Sequence, residues 1–404
     1  MPLTNTASTY GSVARVFHWL TALLVLVLIP VAVIANRLPY DTSAELALKA
    51  FLFSVHKTLG VAVFFVALLR ISWALTQPKP APLHTDRRAE TFMAETAHWL
   101  LYGSLVLAPL SGWIHHAATT GFAPIWWPFG QTLPLIPQSP TVEAISYGLH
   151  WVFGKVMAAT ILLHILGALK HTVIDRDATL ARMAFGTPVA PAPSAPTMPQ
   201  ARRRPVLGAL AVWAAVLAGA GAAGLYSSHS VAPQTAALEQ VSSDWAVQDG
   251  SITIAITQFG ATVQGSFSDW TADITFDPAI TDGASGSVEV VISTGSLTIG
   301  SVTAQALGAD FFAASTFPTA VFQADLITTA GGHNAIGTLT IRDTVLPVQM
   351  PFTLTVDGDT AQMQAGLTLD RRDFGIGAGM TDESALAFDV GVAVTLTATR
   401  AATQ

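Results

Sequence analysis

Apolar residues along this chain fall into two regimes. In the first they run almost continuously, over residues 16–35 (VFHWLTALLVLVLIPVAVIA), about 51–75, about 94–116, about 144–173 and 206–226. A hydrocarbon core about 30 Å thick takes roughly 20 apolar residues of helix to cross, so these stretches predict five transmembrane helices. The first is longer than the apolar segment of a cleaved signal peptide and reads as a retained anchor. In the second regime, from about Leu238 onward, apolar and polar residues alternate or β-formers cluster: SITIAITQ, ATVQGSFS, SVEVVIS, TAVFQADLI, AIGTLTI, PVQMPFTLTV, TAQMQAGLTLD and FDVGVAVTLTAT. About eight such segments, separated by Gly, Asp, Asn and Pro turns, predict an antiparallel barrel or sandwich. Eight strands can close around one apolar ligand. The stretch SVTAQALGADFFAASTFP breaks the alternation and predicts a short helix and loop.

Charge separates the same two regions. Residues 1–204 hold 15 of the 19 Lys and Arg but only 8 of the 26 Asp and Glu, so a net charge of −7 hides a basic half and an acidic one. The connection between spans two and three (QPKPAPLHTDRRAE) is basic, as is the tail after span four (Lys170, Arg176, Arg182, Arg202 to Arg204). The loop from Ala117 to Glu143 has no Lys or Arg. By the positive-inside rule the amino terminus, the 2–3 loop and the proline-rich linker TPVAPAPSAPTMPQARRR then lie in the cytoplasm. A fifth span, crowded with small residues that suit close packing or a simple tether, delivers the acidic half to the other side. In a bacterial inner membrane that side is the periplasm. The acidic half does not suggest nucleic-acid binding. With no cysteine, the chain has no disulfide, no cysteine-held iron–sulfur cluster and no thioether-linked haem, so any metal centre must be held mainly by His.

Nine of the eleven histidines precede residue 172. His150 and His164 are 14 residues apart, which on a 3.6-residue helix returns them to one face, roughly 21 Å apart along the axis. Depth pairs them with histidines of other spans: His18 and His164 lie toward the cytoplasmic ends, His56 and His150 toward the outer ends. Bis-His ligation at both depths suits a low-spin b-type haem used for electron transfer. His98 in span three is an alternative to His18 or His164. His115 and His116 read as interfacial, as do Trp126 and Trp127 in the outer loop. His171, seven residues after His164 on the same face, is a candidate proton partner for a quinone. Arg37, Lys49 and Lys57 are outer-side cations that could draw in a small anion or anchor at headgroups.

The HW at His18, His56 in SVHKTLG, the LHW…LLHILGALKH arrangement and the downstream IDRDATLARM resemble the bacterial cytochrome b561 family over about residues 10–185. The resemblance implies a four-helix transmembrane bundle with two haem b groups, exchanging electrons with ubiquinone or another isoprenoid quinone. Some members of the family oxidise superoxide at the periplasmic face. By position, His18, His56, His150 and His164 inherit the role of axial ligands.

The pieces GSFSDWTADITFDP, ADFFAASTFPTAVFQADLI, GTLTIRDTVLPVQMPF and DRRDFGIG resemble the YceI-like family of lipocalin-like barrels over roughly residues 244–401. That resemblance implies an elongated apolar cavity for a polyisoprenoid chain such as a quinone tail. Phe267, Trp270, Phe276, Phe311, Phe312, Phe317, Phe322 and Phe374 are candidates for its wall. Arg371 and Arg372 with Asp373 read as ion pairs at the surface or mouth, and His333 as a turn residue. The expected organisation is a multidomain membrane protein. An all-α four-helix haem bundle (1–185) leads through a cytoplasmic linker (186–205) to a tethering fifth helix (206–226). A periplasmic linker (227–243) then precedes an all-β antiparallel barrel (244–404). The expected activity is a membrane oxidoreductase relaying electrons between a periplasmic donor, superoxide or a quinol, and the quinone pool. The alternative is a periplasmic isoprenoid-lipid carrier or sensor docked by a redox-active membrane part.

Overall fold

The computed structural model describes residues 2–81, 83–84, 86–119, 122–188, 199–227, 237–239 and 243–401. The chain divides into two compact units, one of residues 1–37, 51–119 and 124–228 and one of residues 38–50, 120–123 and 229–404. The proline-rich centre of the expected cytoplasmic linker and most of the expected 227–243 linker lie outside the described residues.

The helical elements are α1 (Ser12–Arg37), α2 (Ser43–Leu75), α3 (Arg88–Ala118), α4 (Pro140–Lys170), α5 (Thr179–Ala184) and α6 (Pro199–Ala222). Among the described residues, four helices are long and apolar enough to cross a membrane: α1, α2, α4 with its extension to Asp175, and α6 from Arg203. The third predicted span forms α3, of 31 residues, but it does not reach that apolarity. It carries three histidines and two buried serines, whose hydroxyls donate to carbonyls one turn back, Ser104 to Leu100 and Ser111 to Leu107. Such back-bonding satisfies a hydroxyl without water. α3 packs against α4 and α6.

The bundle centre is formed by Val25, Leu28, Val63, Ala67 and Leu105, with Met157 and Ile161 against them, so α1 to α4 all contribute. Between apolar helices in lipid there is no hydrophobic drive, and close packing has to hold them. α6 is accordingly more than a tether: its Trp213 lies edge-on to Phe153 of α4, ring centres 5.1 Å apart, and lies against Gly103 of α3. α4 does not end as an α-helix. His171–Asp175 form a π-helical turn, closed by Arg176 at φ +51°. The segment after it is pinned to the N-terminal stretch by Arg15 to the Ala184 carbonyl, Trp19 Nε1 to the Met183 carbonyl and Thr9 to the Gly186 carbonyl.

The other unit holds ten strands rather than about eight: β1 (Trp245–Gln258), β2 (Ala261–Phe267), β3 (Trp270–Phe276), β4 (Gly283–Ser293), β5 (Leu297–Thr298), β6 (Thr319–Thr329), β7 (Gly332–Ile341), β8 (Thr344–Asp357), β9 (Thr360–Asp370) and β10 (Leu386–Arg400). They form one antiparallel sheet in the order β3-β4-β6-β7-β8-β9-β10-β1-β2-β5. Alternation is plain in β6, where Ala320, Phe322, Ala324, Leu326 and Thr328 are buried and the residues between them are not. This is the period-two signature of a sheet with one face inward. The sheet curls until β1 meets β3, and that seam is closed by side chains: Trp245 Nε1 donates to the Phe276 carbonyl at 2.9 Å, and Ser243 Oγ accepts from the Ile274 amide at 2.7 Å. A bulge in β4 between Ala284 and Gly286 sharpens the curl. A side chain at Gly286 would meet the Thr275 carbonyl at 1.9 Å. The predicted interruption is a short helix, α7 (Thr303–Ala306), and turns through Phe317. His333 belongs to β7 and not to the turn; its Nδ1 is 2.9 Å from Thr328 Oγ1 and its ring stacks on Phe352.

Arg371 departs from its expected ion pair. It is 3% exposed, and its guanidinium donates to five backbone carbonyls, of Ile376, Gly377, Met380, Leu386 and Ala387, at 2.7–3.2 Å. The chain after β9 folds over this one side chain and places carbonyls where a carboxylate was expected. Arg372 pairs with Asp370, outside. Replacing Arg371 by Met should therefore lower the unfolding free energy of the barrel by about 3 kcal/mol or more, because several buried carbonyls lose their donors together. Arg372→Met should cost less than about 1 kcal/mol, as exposed pairs do. Denaturant midpoints of the two variants, followed by tryptophan fluorescence, check the contrast.

Candidate functional site

The helices bring four imidazoles together in two pairs. His18 of α1 and His164 of α4 have ring centres 6.1 Å apart with planes at 57°; His56 of α2 and His150 of α4 are also 6.1 Å apart, with planes at 84°. Two imidazoles on opposite sides of one metal, with metal–nitrogen bonds of about 2.0–2.1 Å, place their ring centres roughly 6 Å apart. Both pairs have that gap. His98 stands nearer to His164, at 5.2 Å and edge-on, which is direct packing and leaves too little room for a metal between the rings. Its Nδ1 donates to the Ala94 carbonyl of its own helix.

The His56–His150 pair is oriented from behind. His56 Nδ1 donates to the Leu28 carbonyl at 3.1 Å and His150 Nδ1 to the Ala108 carbonyl at 2.8 Å. A ring whose Nδ1 carries the proton presents an unprotonated Nε2 as a ligand. Gly112 makes the His150 position feasible, since a Cβ there would stand 2.8 Å from His150 Nδ1. Gly60 and Gly154 each lie one turn beyond the His of their helix, and no atom lies within 4 Å of where their Cβ would be. That leaves space for a flat group. The His18–His164 pair differs: Arg70 Nη2 lies 3.2 Å from His18 Nδ1 and places a cation beside it, a contact that α2 supplies and spacing alone does not reveal.

The outer cations are dispersed. Arg37 ends α1 and is exposed. Lys49 donates to the Leu38 carbonyl at 2.7 Å and sits over the Tyr40 ring. Lys57 is half-buried next to His56. His116 is buried at 6% exposure, and its Nε2 bonds Gln131 Oε1 at 3.0 Å. His115 contacts the Glu143 carbonyl, and Trp126 is half exposed.

His171 gathers partners that the sequence did not announce. Its Nδ1 is 2.7 Å from Asp177, its ring stacks on His84 at 6.1 Å and 10°, and His84 Nε2 reaches the same Asp177 oxygen at 3.0 Å. Glu90 and Asp175 lie 3.3 Å from its two nitrogens, and both also meet Lys170. His84, His171 and Asp177, or Glu90, His171 and Asp175, are close enough together to hold a metal ion. His84 sits in the loop between α2 and α3, 93 positions before Asp177, and no local pattern links them.

In the barrel, a cavity of about 270 Å³ runs among inward-facing side chains. Phe267, Trp270, Phe276, Phe311, Phe312, Phe322 and Phe374 line it. Phe317 does not; its ring lies under the Arg342 guanidinium, because the turn after Ala314 points it away. Gln258, Gln305 and Arg371 also belong to the wall and were not among the candidates. Gln258 had a signal: it continues the alternate row Ile252, Ile254, Ile256.

Apolar helices carrying paired imidazoles and a barrel with an apolar interior define a membrane redox module joined to a module for a hydrophobic ligand. Residues 9–186 match the family model for prokaryotic cytochrome b561, and residues 245–399 match the YceI-like domain model. The chain thus joins a segment that matches the prokaryotic cytochrome b561 family, which implies haem b and membrane electron transport, to a segment that matches the YceI-like domain. Among curated relatives, it is 29% identical to cytochrome b561 homolog 2 of Escherichia coli (strain K12) over 45% of this chain and 95% of that protein. It is 25% identical to the probable superoxide oxidase CybB of Yersinia pestis over 41% of this chain and 90% of that protein. Among solved structures, Burkholderia cenocepacia BcnA is 31% identical, with 37% of this chain and 96% of that chain covered and a TM-score of 0.35. A Campylobacter jejuni YCEI protein is 19% identical over 42% and 95%, with a TM-score of 0.32.

Asp177 generates a pH dependence. Burial works against its charge, but hydrogen bonds from Thr179, His171 and His84 prevail and hold the carboxyl well below the usual carboxylate range. Since the folded value lies below the unfolded value of about 3.9, the stabilisation is full above it and fades as the pH falls below about 4. Asp177→Asn should therefore flatten the fall in thermal midpoint between about pH 5 and about pH 3. A midpoint-against-pH series on both proteins reads this directly.

Proposed function

We propose that the chain is a di-haem b-type oxidoreductase that relays electrons across the bacterial inner membrane between a periplasmic donor and the quinone pool. Its barrel binds an isoprenoid quinone or another polyisoprenoid lipid. The observation that carries the reading is the pair of 6.1 Å imidazole gaps, served by two histidines on one face of α4. His56 and His150 hold the outer haem, and His18 and His164 the inner one. When bound, each haem would supply a one-electron centre suited to electron transfer.

The chain's own residues do the rest. The Leu28 and Ala108 carbonyls keep the outer imidazoles in the ligating tautomer. Arg70 beside His18 adds positive charge at the inner site, which favours an extra electron there and biases flow inward. His171 takes or gives the proton that accompanies quinone reduction, with Asp177 and His84 holding its ring. Arg37, Lys49 and Lys57 raise the local concentration of a small anion on the outer side. Superoxide is the favoured donor, in keeping with the name of the Yersinia pestis relative. In this reading α3 crosses the membrane beside α4, the amino terminus is cytoplasmic, and the modules at 1–185 and 244–404 lie on either side of the tether at 206–226.

Reduced-minus-oxidised absorption with haem quantitation on the purified chain should give two b haems, both reduced by superoxide and reoxidised by ubiquinone. His150→Ala and His18→Ala should each lose one. A single haem or none in the unmodified chain sinks the relay. Gly112→Val should lower occupancy of the outer site alone, because the added side chain occupies the His150 ring position; the split of the absorption band between the two haems reads which one is lost.

A further inference from the structure

Nearly every side chain in the barrel cavity wall is apolar, and the polar exceptions gather at one end. Gln258 is the last residue of β1; it pairs across the sheet with Leu386, whose carbonyl accepts from Arg371. Gln305 lies in α7, on the turn that continues to Asp310, and the Asp310 carbonyl accepts from Gly377 beside Arg371. Gln258 is 4% exposed, and its Oε1 has no hydrogen-bond partner among the described residues. Gln305 Nε2 is likewise buried and without a partner. A buried polar group without a partner is costly, and native interiors hold few of them. Two at one end of an otherwise apolar wall point to something that pairs them.

We propose that Gln258 and Gln305 form the headgroup subsite of the cavity, selective for an uncharged hydroxyl head on an isoprenoid tail over a phosphate. The inference rests on the lipid-binding reading above and deepens it. A hydroxyl has the complement of both unpartnered atoms, a proton for an amide Oε1 and lone pairs that accept from an amide Nε2. Arg371 is the one cation in the wall among the described residues, and each of its five N–H donors already serves a backbone carbonyl. It has none left for the oxygens of a phosphate, which dense charge-assisted bonding would need.

Native mass spectrometry of the full detergent-solubilised chain tests this with three probes sharing one tail: farnesol, farnesyl phosphate and the hydrocarbon farnesane. Farnesol should bind at least about tenfold more tightly than either of the others. In the double variant Gln258→Leu, Gln305→Leu that preference over farnesane should disappear while farnesane binding persists, which also shows that the barrel is folded. If the double variant loses farnesane as well, the single variant Gln305→Leu, in a half-buried turn, decides by the same ratio. Tighter binding of farnesyl phosphate than of farnesol, or an unchanged farnesol preference in the variants, overturns the subsite and leaves lipid binding intact. Failure of all three probes to bind the unmodified chain overturns the lipid-binding reading beneath it.

Discussion

A polar group surrounded by hydrocarbon must be paired by the protein or by something the protein binds. Both units of this chain are built under that constraint. Among the helices, Ser104 and Ser111 return their hydroxyls to their own helix, and His56 and His150 give one ring nitrogen each to a carbonyl of a neighbouring helix. In the barrel, Arg371 spends all five donors on backbone carbonyls, and Trp245 gives its indole N–H to Phe276. The groups left over then become informative. In the barrel wall they include Gln258 Oε1 and Gln305 Nε2.

Local irregularities sit where the polar groups need them. Gly112 removes the side chain that would displace the His150 ring. The π-helical turn at His171–Asp175 and the left-handed Arg176 bend the end of α4 so that His171, Asp175 and Asp177 turn toward the loop carrying His84. Inserted turns of this kind cost regular hydrogen bonds and recur where a helix must aim a side chain. In the barrel, the β4 bulge and the side-chain seam between β1 and β3 do comparable work, curling a sheet whose edge strands do not pair with each other.

Much of this was legible because it depends on periodicity. Apolar runs of span length, the 14-residue interval on α4 and the period-two strands each follow from helix or strand geometry, and the histidine pairs by depth are the pairs found in space. Where the reading failed, the cause was a long-range partner. Arg371 looked like half of an ion pair because its neighbours are charged, yet its acceptors come from carbonyls five to sixteen residues on. The contact between His116 and Gln131 had no local signal either, because the loop after α3 brings Gln131 back to that helix.

The amino-acid sequence by itself determined two folding regimes, the membrane character of one, the alternating strands of the other and which histidines share a helix face. These are properties of short-range order, set by the helical and strand periods and by the cost of leaving apolar surface in water. The tertiary structure alone decided the 6.1 Å gaps, the tautomers of His56 and His150, the convergence of His84 with Asp177 and His171, and the saturation of Arg371. Each of those depends on where two distant segments cross, and no pattern of residues along one segment encodes that meeting.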